Sequence, residues 1–408
     1  MYYTFRILRV GAVIALGVAM WFSVRLAVAD ASFRNGTPES VDRAIALMPS
    51  NADYRSFRAL QLEYDGQDSE AELRRAAALN PLSSAPRLRL GLASELRGDS
   101  NAAEHWLLDA ARVDHEFEPR WTLANFYFRR AYGNPSASDP EAKDQFWNWI
   151  NSSLAMSYDD RRPAFDLCWR ASPDPNEILS RAIPGVPEVE RAYLSYLLEE
   201  QHLDALAPVA MKLATLRDPA DRPILYAACD ALIAKASDEA QRRNGQSSFE
   251  SDASAAWRAL TGSLPLGVTN GNFTAPPANH GFDWRVPEVS GVTHANLDAP
   301  PAHRIILSGD QPASSELLRQ WMELIAGRRY TLRWQSRSSS LSAPSGIEWR
   351  MAGTRAPVAS SSDWQSGEAT LVAPTAVDSL ALWFERPLGQ ARAQGMIELR
   401  DVSITESK

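Results

Sequence analysis

Apolar residues along this chain change their spacing twice, and each change marks a different kind of element. Between 10 and 24 they run without interruption, preceded by Arg6 and Arg9 and followed by Arg25 and then Leu26-Ala27-Val28-Ala29. An unbroken apolar run behind positive charge predicts a helix that enters a membrane with its N-terminus on the cytoplasmic side. From 39 to 260 apolar positions recur every three or four residues among Ala, Leu, Arg and Glu, the period of helices with one buried face. Within this stretch 186–201 and 203–216 read as a hairpin and 223–243 as a long helix or a helix pair. Asp174, followed by Pro175 and Glu177, reads as a cap and first turn. Across 261–268 Gly, Pro, Ser and Asn become frequent and the apolar spacing drops to two. Strands are expected at 303–308, 317–324, 329–337, 347–351, 368–372, 379–385 and 396–405. Tyr330, Leu332 and Trp334 alternate, as do Leu380, Leu382 and Phe384, while Ile397, Leu399, Val402 and Ile404 alternate if a bulge sits at Arg400-Asp401. Short strands with regular turns predict a β-sandwich or jelly roll.

The pattern therefore predicts a multidomain protein, α then β: an N-terminal membrane helix, an α-helical hairpin array and a C-terminal β-sandwich. The segments are 1–29, 30–260 and 261–408. For the first, two readings stay open. Ala27-Val28-Ala29 fits the small-residue pattern of a signal-peptidase site, which makes the segment a removable signal peptide. Alternatively, 7–28 crosses the bilayer once as a signal anchor, with Arg25 snorkelling to the far interface. Both readings put the rest of the chain outside the cytoplasm.

Inside the helical stretch one unit is regular. In 84–117, Leu90-Gly91 is followed by Gly98-Asp99 and then by Ala103, Leu107 and Ala110. Gly91 allows two helices to approach, Gly98 allows a tight turn, and Leu107 fills the space where the helices cross. The unit 50–83 carries Tyr54, Leu60, Gly66, Ala71, Ala76 and Asn80-Pro81, with a second helix about two residues short of the roughly 34-residue pattern. The unit 118–159 opens at Pro119-Arg120-Trp121 and has an expanded turn before Phe146, Trp147 and Ile150, and 39–49 supplies a capping helix. This stretch resembles the tetratricopeptide-repeat family. The resemblance implies a curved array whose groove holds a protein partner, with Tyr54, Arg58, Gln61, Leu88, Glu95, Thr122, Phe126 and Arg129 facing that groove.

The C-terminal stretch carries Asn270-Gly271-Asn272-Phe273, then Gly281-Phe282-Asp283-Trp284, and closes on Ile397-Glu398-Leu399-Arg400-Asp401-Val402-Ser403-Ile404. In this order the elements resemble the galactose-binding-like jelly rolls of carbohydrate-binding modules. The resemblance implies a glycan ligand. Sugars are held on flat apolar faces flanked by amide, carboxylate or guanidinium groups. Trp284, Trp349, Trp364 and Trp383 are the candidate faces, with Arg285, Asp363 and Gln365 beside them. Members often hold a structural calcium through an acid after the opening motif and another near the closing Asp. Here Thr274 replaces the first acid and Asp401 alone remains, so calcium is a doubtful cofactor and none other is expected.

Composition narrows the reading. Net charge is −8, which disfavours nucleic acid as a partner, and two cysteines, Cys168 and Cys229, cannot build a disulfide framework. Of 13 tryptophans, Trp284, Trp321, Trp334, Trp349, Trp364 and Trp383 lie in the last domain. His-Glu-x-x-His, Gly-x-Ser-x-Gly and phosphate-loop motifs are missing. Asp159-Asp160 and Glu199-Glu200 read as solvated faces, and His280, His294 and His303 match no metal spacing. The expectation is a non-enzymatic, membrane-tethered scaffold. By resemblance of its architecture it belongs with accessory proteins of bacterial exopolysaccharide or surface-glycan assembly, a single-pass protein of the inner membrane with its bulk in the periplasm. Secretion after cleavage near Ala29 is the alternative location. The alternative functions are a glycan-active enzyme with an appended binding module, and a protein-interaction scaffold that binds no sugar.

Overall fold

A computed structural model describes residues 2–133, 139–242, 249–263, 266–341, 344–351, 353–389 and 392–407. The chain is α then β, with two compact units, 1–184 and 185–408.

The first unit is helical. Helix α1 (Tyr2–Phe33) contains Gly11–Phe33, whose mean hydropathy of 2.0 and 23-residue length suffice to cross a membrane; single spans and signal sequences share that property. Its end behaves differently from its middle. Ala29 is fully buried with Ala44 and Tyr54, and Phe33 stacks on Tyr54 at 4.6 Å and meets Phe57 edge-on at 5.1 Å. Helices α2 (Pro38–Leu47), α3 (Ala52–Tyr64), α4 (Glu70–Leu79), α5 (Ala85–Leu96) and α6 (Ser100–Val113) follow, then α7 (Phe117–Tyr132), α8 (Pro140–Met156), α9 (Arg162–Ala171) and α10 (Pro175–Arg181). Side chains of Thr37, Asn51, Asp99, Asp139 and Asp174 accept from first-turn amides and so fix where five of these helices start.

The expected hairpin geometry is present at α5 and α6. A Cβ on Gly91 would lie 2.6 Å from Leu107 Cδ2, so only glycine admits Leu107 into the crossing, and Gly98 turns with φ +80°. The partly buried pairs Arg55–Glu72 (2.9 Å) and Arg87–Asp109 (2.5 Å) tie each hairpin to itself. Residues 134–138, in the expanded turn after α7, lie outside the described residues.

The second unit begins with α11 (Pro187–Glu199), α12 (Leu206–Ala214), α13 (Arg222–Arg242) and α14 (Phe249–Thr261). Among the described residues nine strands follow: β1 (Val292–Asp298), β2 (Pro301–Ser308), β3 (Ser314–Glu323), β4 (Arg329–Ser339), β5 (Ile347–Met351), β6 (Thr354–Pro357), β7 (Gln365–Val372), β8 (Val377–Glu385) and β9 (Gln394–Glu406). They form two antiparallel sheets, ordered β1-β2-β9-β4-β7 and β3-β8-β5-β6. Inward residues of both sheets, among them Ile305, Leu318, Leu332, Leu382 and Leu399, make one core. Seven strands match the expected positions, and β1 and β6 are additional. The β9 bulge falls at Asp401–Val402 opposite Trp334, with Asp401 at φ +53°.

Candidate functional site

The outward positions of the five-stranded sheet carry a connected polar row. On β4 these are Arg333, Gln335 and Arg337, which alternate with the buried Leu332, Trp334 and Ser336; on β9 they are Glu398 and Arg400. Glu398 is nearly inaccessible although it points outward, because a guanidinium covers it from each neighbouring strand. Arg304 on β2 donates to its Oε1 from Nε (2.9 Å) and Nη2 (2.6 Å), and Arg337 donates to Oε2 from Nε (2.5 Å). Burial pushes the Glu398 carboxyl up, but the two arginine hydrogen bonds and charges outweigh it and hold the group below the ordinary glutamate value.

Trp364 lies against this row. The loop before β7 is pinned to β4 by Ser338 N donating to Ser361 O (2.6 Å) and Ser361 N donating to Ser338 Oγ (3.0 Å). That brings the half-buried indole over Arg400 (4.1 Å from guanidinium carbon to ring centroid) and Arg337 (4.9 Å). Arg400 Nε also donates to Gln335 Oε1 at 2.8 Å. Asp363 and Gln365 are exposed beside the ring, and both are held by Ser361 Oγ. The result is a flat aromatic surface flanked by amide, carboxylate and guanidinium groups.

On the other sheet Trp383 is half-buried over Arg350, 4.8 Å from the ring centroid. Arg350 binds Glu348 (2.6 Å) and Glu385, and Arg355 also reaches Glu385 (3.0 Å).

Two expected glycan residues are instead core. Trp284 and Trp349 are 0% and 1% exposed, so neither offers a face to a ligand. The motifs at 270–273 and 281–284 fold inward against the sheets, where Phe273 and Trp284 stack at 5.4 Å and Trp284 Nε1 donates to Asn270 O at 3.1 Å. Arg285 turns away from Trp284 and donates to Asp230 of α13 at 2.6 Å. The Asp401 carboxylate is exposed and faces Arg400 at 3.6 Å, while the Thr274 hydroxyl donates to Asn272 Oδ1 at 3.1 Å. Among the described residues no group of three or more His, Cys, Asp or Glu side chains is placed to hold a metal.

The groove positions need a similar correction. Tyr54, Leu88 and Phe126 are buried between helices. Arg58 pairs with Asp42 (2.9 Å), Gln61 Nε2 donates to Gly36 O (2.8 Å), and the Thr122 hydroxyl donates to Glu118 O (2.8 Å). Arg129 binds both oxygens of Glu95 at 2.7 Å. Tyr54, Leu88 and Phe126 thus pack between helices, the Thr122 hydroxyl turns back on its own helix, and Arg129 stays exposed while paired with Glu95. Exposed apolar side chains of this region include Leu60 and Tyr64 on α3, Leu79 on α4, Leu82, and Leu92 and Leu96 on α5.

Asp159, Asp160, Glu199 and Glu200 are exposed near helix ends. Cys168 and Cys229 are free and buried, and burial pushes both thiols up, Cys229 to about 12. The residues that sequence reasoning missed are Arg304, Arg337, Gln335, Glu398, Arg400 and Trp321. The signal for several of them was present as the polar half of the alternation that identified Tyr330, Leu332 and Trp334 as core.

No protein-family model and no curated protein matches the sequence. Among solved structures, a protein described as "CBM4 structure and function" is similar to 34% of this chain over 99% of its own length, at 18% identity and TM-score 0.28. One described as "BiXyn10A CBM1 APO" is similar to 30% of this chain over 86% of its own, at 17% identity and TM-score 0.24. The enzymatically active domain of tailspike protein 4 of bacteriophage CBA120 is similar to 34% of this chain over 21% of its own, at 12% identity and TM-score 0.25.

Proposed function

We propose that this protein is a non-enzymatic, membrane-tethered adaptor of the bacterial envelope, accessory to exopolysaccharide or surface-glycan assembly. Its sandwich contacts a glycan through the outer face of the five-stranded sheet, and its helical hairpins, read as tetratricopeptide-like, hold a protein partner. One observation carries the glycan reading: the half-buried Trp364 lies over Arg337 and Arg400, with Gln335 and Glu398 in the same polar row. An indole face suits the C–H surface of a pyranose, and the flanking guanidinium and amide groups suit its hydroxyls.

Two further observations support the rest. Leu60, Tyr64, Leu92 and Leu96 are 45%, 92%, 41% and 89% exposed, and Leu92 and Leu96 line a cavity of about 590 Å³ together with Glu63, Arg89 and Arg97, an apolar surface suited to a peptide segment. The burial of Ala29 favours a retained anchor, since removal of 1–29 would strip a packed residue from the first hairpins.

A glycan array probed with the complete chain in detergent tests the reading. Trp364→Ala should weaken polymer binding by about tenfold or more while leaving the thermal midpoint nearly unchanged. Equal binding by both forms, or binding of no glycan by the wild type, would discard the sheet face as a glycan site. For the tether, mass spectrometry of the membrane fraction should find chains that retain residues ahead of Asp30. A soluble chain beginning at Asp30 would discard it.

A further inference from the structure

A second concave site lies within the unit 185–408, away from Trp364. A cavity of about 410 Å³ opens between α13, the segment around Arg285 and the exposed side of β3. The main chains of Arg285 and Arg319 pair like adjacent strands, with N donating to O at 2.7 Å and 3.0 Å, so both guanidinium groups belong to one wall. Each is held by a carboxylate. Arg285 Nη2 donates to Asp230 Oδ1 at 2.6 Å and to Gly281 O at 3.3 Å, and Arg319 donates to Glu316 from Nε, at 3.0 Å to both oxygens, and from Nη2. The buried Arg285 Nε has no acceptor among the described residues, which is unusual for a buried donor. Trp321 supplies a half-buried indole, its centroid 5.8 Å from the Arg319 guanidinium carbon, and Asn279 adds an exposed amide at the rim.

The charges decide the ligand class. Two carboxylates and two guanidinium groups cancel, so the wall favours neither a free anion nor a free cation. It instead offers both donors and acceptors beside one aromatic surface, which matches a ring bearing several hydroxyls. The volume suits one or two such rings and is too small for a polymer segment. We propose that this cavity is a binding site for a neutral mono- or disaccharide, formed by Trp321, Arg285, Arg319, Glu316, Asp230 and Asn279. It shares no residue with the Trp364 face and does not depend on that face binding glycan.

The test uses the complete chain in detergent and saturation-transfer NMR with glucose, galactose, mannose, cellobiose and lactose, and with glucuronate and glucosamine as charged probes. At least one neutral sugar should bind saturably. Trp321→Ala and the milder Glu316→Gln should each weaken it by about tenfold or more at unchanged thermal midpoint, and Trp364→Ala should leave it intact. Binding of no neutral sugar, binding of charged probes only, or equal affinity in Trp321→Ala and wild type would overturn the proposal. So would loss of binding in Trp364→Ala alone. Polysaccharide pull-downs with the same variants keep the two sites apart: loss of polymer in Trp364→Ala, with small sugars unaffected by Trp321→Ala, sinks the cavity and spares the sheet face. The reverse pattern does the opposite.

Discussion

Trp284, Trp334 and Trp349 fill the space between the two sheets, whereas Trp321, Trp364 and Trp383 lie on outer faces, each against an arginine. Trp349 meets the other two inner rings, 6.0 Å from Trp284 and 6.4 Å from Trp334, and the three act as volume. The outer three keep part of their surface in water, and guanidinium groups orient them. One residue type therefore serves two ends, and the side of the sheet decides which. Core indoles should govern stability and outer indoles recognition.

The largest effect expected of that division is at Trp284. Trp284→Ala removes a fully buried ring and a hydrogen-bonded Nε1 and should cost about 3–5 kcal/mol in a denaturant titration. Trp383→Ala should stay within about 1 kcal/mol. Equal losses at the two positions would end the distinction.

Next is Gly367→Ala. Its Cβ would stand 2.2 Å from Trp334 Cε2, so an inner ring must move to admit one methyl group from β7, at a cost of about 1–3 kcal/mol.

A smaller effect is electrostatic. His294 Nδ1 lies 3.1 Å from His303 Nε2, and His303 Nδ1 lies 2.7 Å from Asn296 Oδ1, with Phe273 stacked on His303 at 5.3 Å. Burial pushes both imidazoles down to about 4, and the neighbouring His294 depresses His303 further. An unfolded histidine takes up its proton near 6.5, so between these values the unfolded chain binds more protons. Stability is therefore complete above about pH 6.5 and declines as the pH falls toward 4. For His303 the loss reaches roughly 1 kcal/mol by about pH 5.5. Asp283 and Asp378, whose carboxyls burial pushes up, act in the opposite sense, so the comparison is made against His303→Asn. That variant should show a flatter thermal midpoint between pH 7 and 5.

Strand identity was largely legible in the sequence because alternation is local. Tyr330, Leu332 and Trp334 report both a strand and its buried side. β1 and β6 were not legible: β1 is an edge strand with only partial burial, and β6 has four residues ending in Pro357. The site was less legible than the strands. Arg337 and Arg400 are 63 positions apart in sequence and meet only because β9 returns beside β4. Trp284 carries no alternation to mark it as core, since its burial depends on two loops closing over the sheets. Among the helices, spacing identified the repeated positions of Tyr54, Leu88 and Phe126. Which side of them would meet another helix follows from how successive hairpins stack.

The place of β9 also has a consequence for the order of events during synthesis. It is the middle strand of its sheet, stitched to β2 and β4 by their arginines on Glu398, yet it is the last of the nine strands made. Until residues 394–406 leave the ribosome, β1–β2 and β4–β7 are two separate ribbons without a shared centre, and isolated ribbons are barely stable. The hairpins of 1–184, whose contacts are local, can form as they emerge. The sandwich has to wait for its final strand, and its inner tryptophans stay unprotected until then.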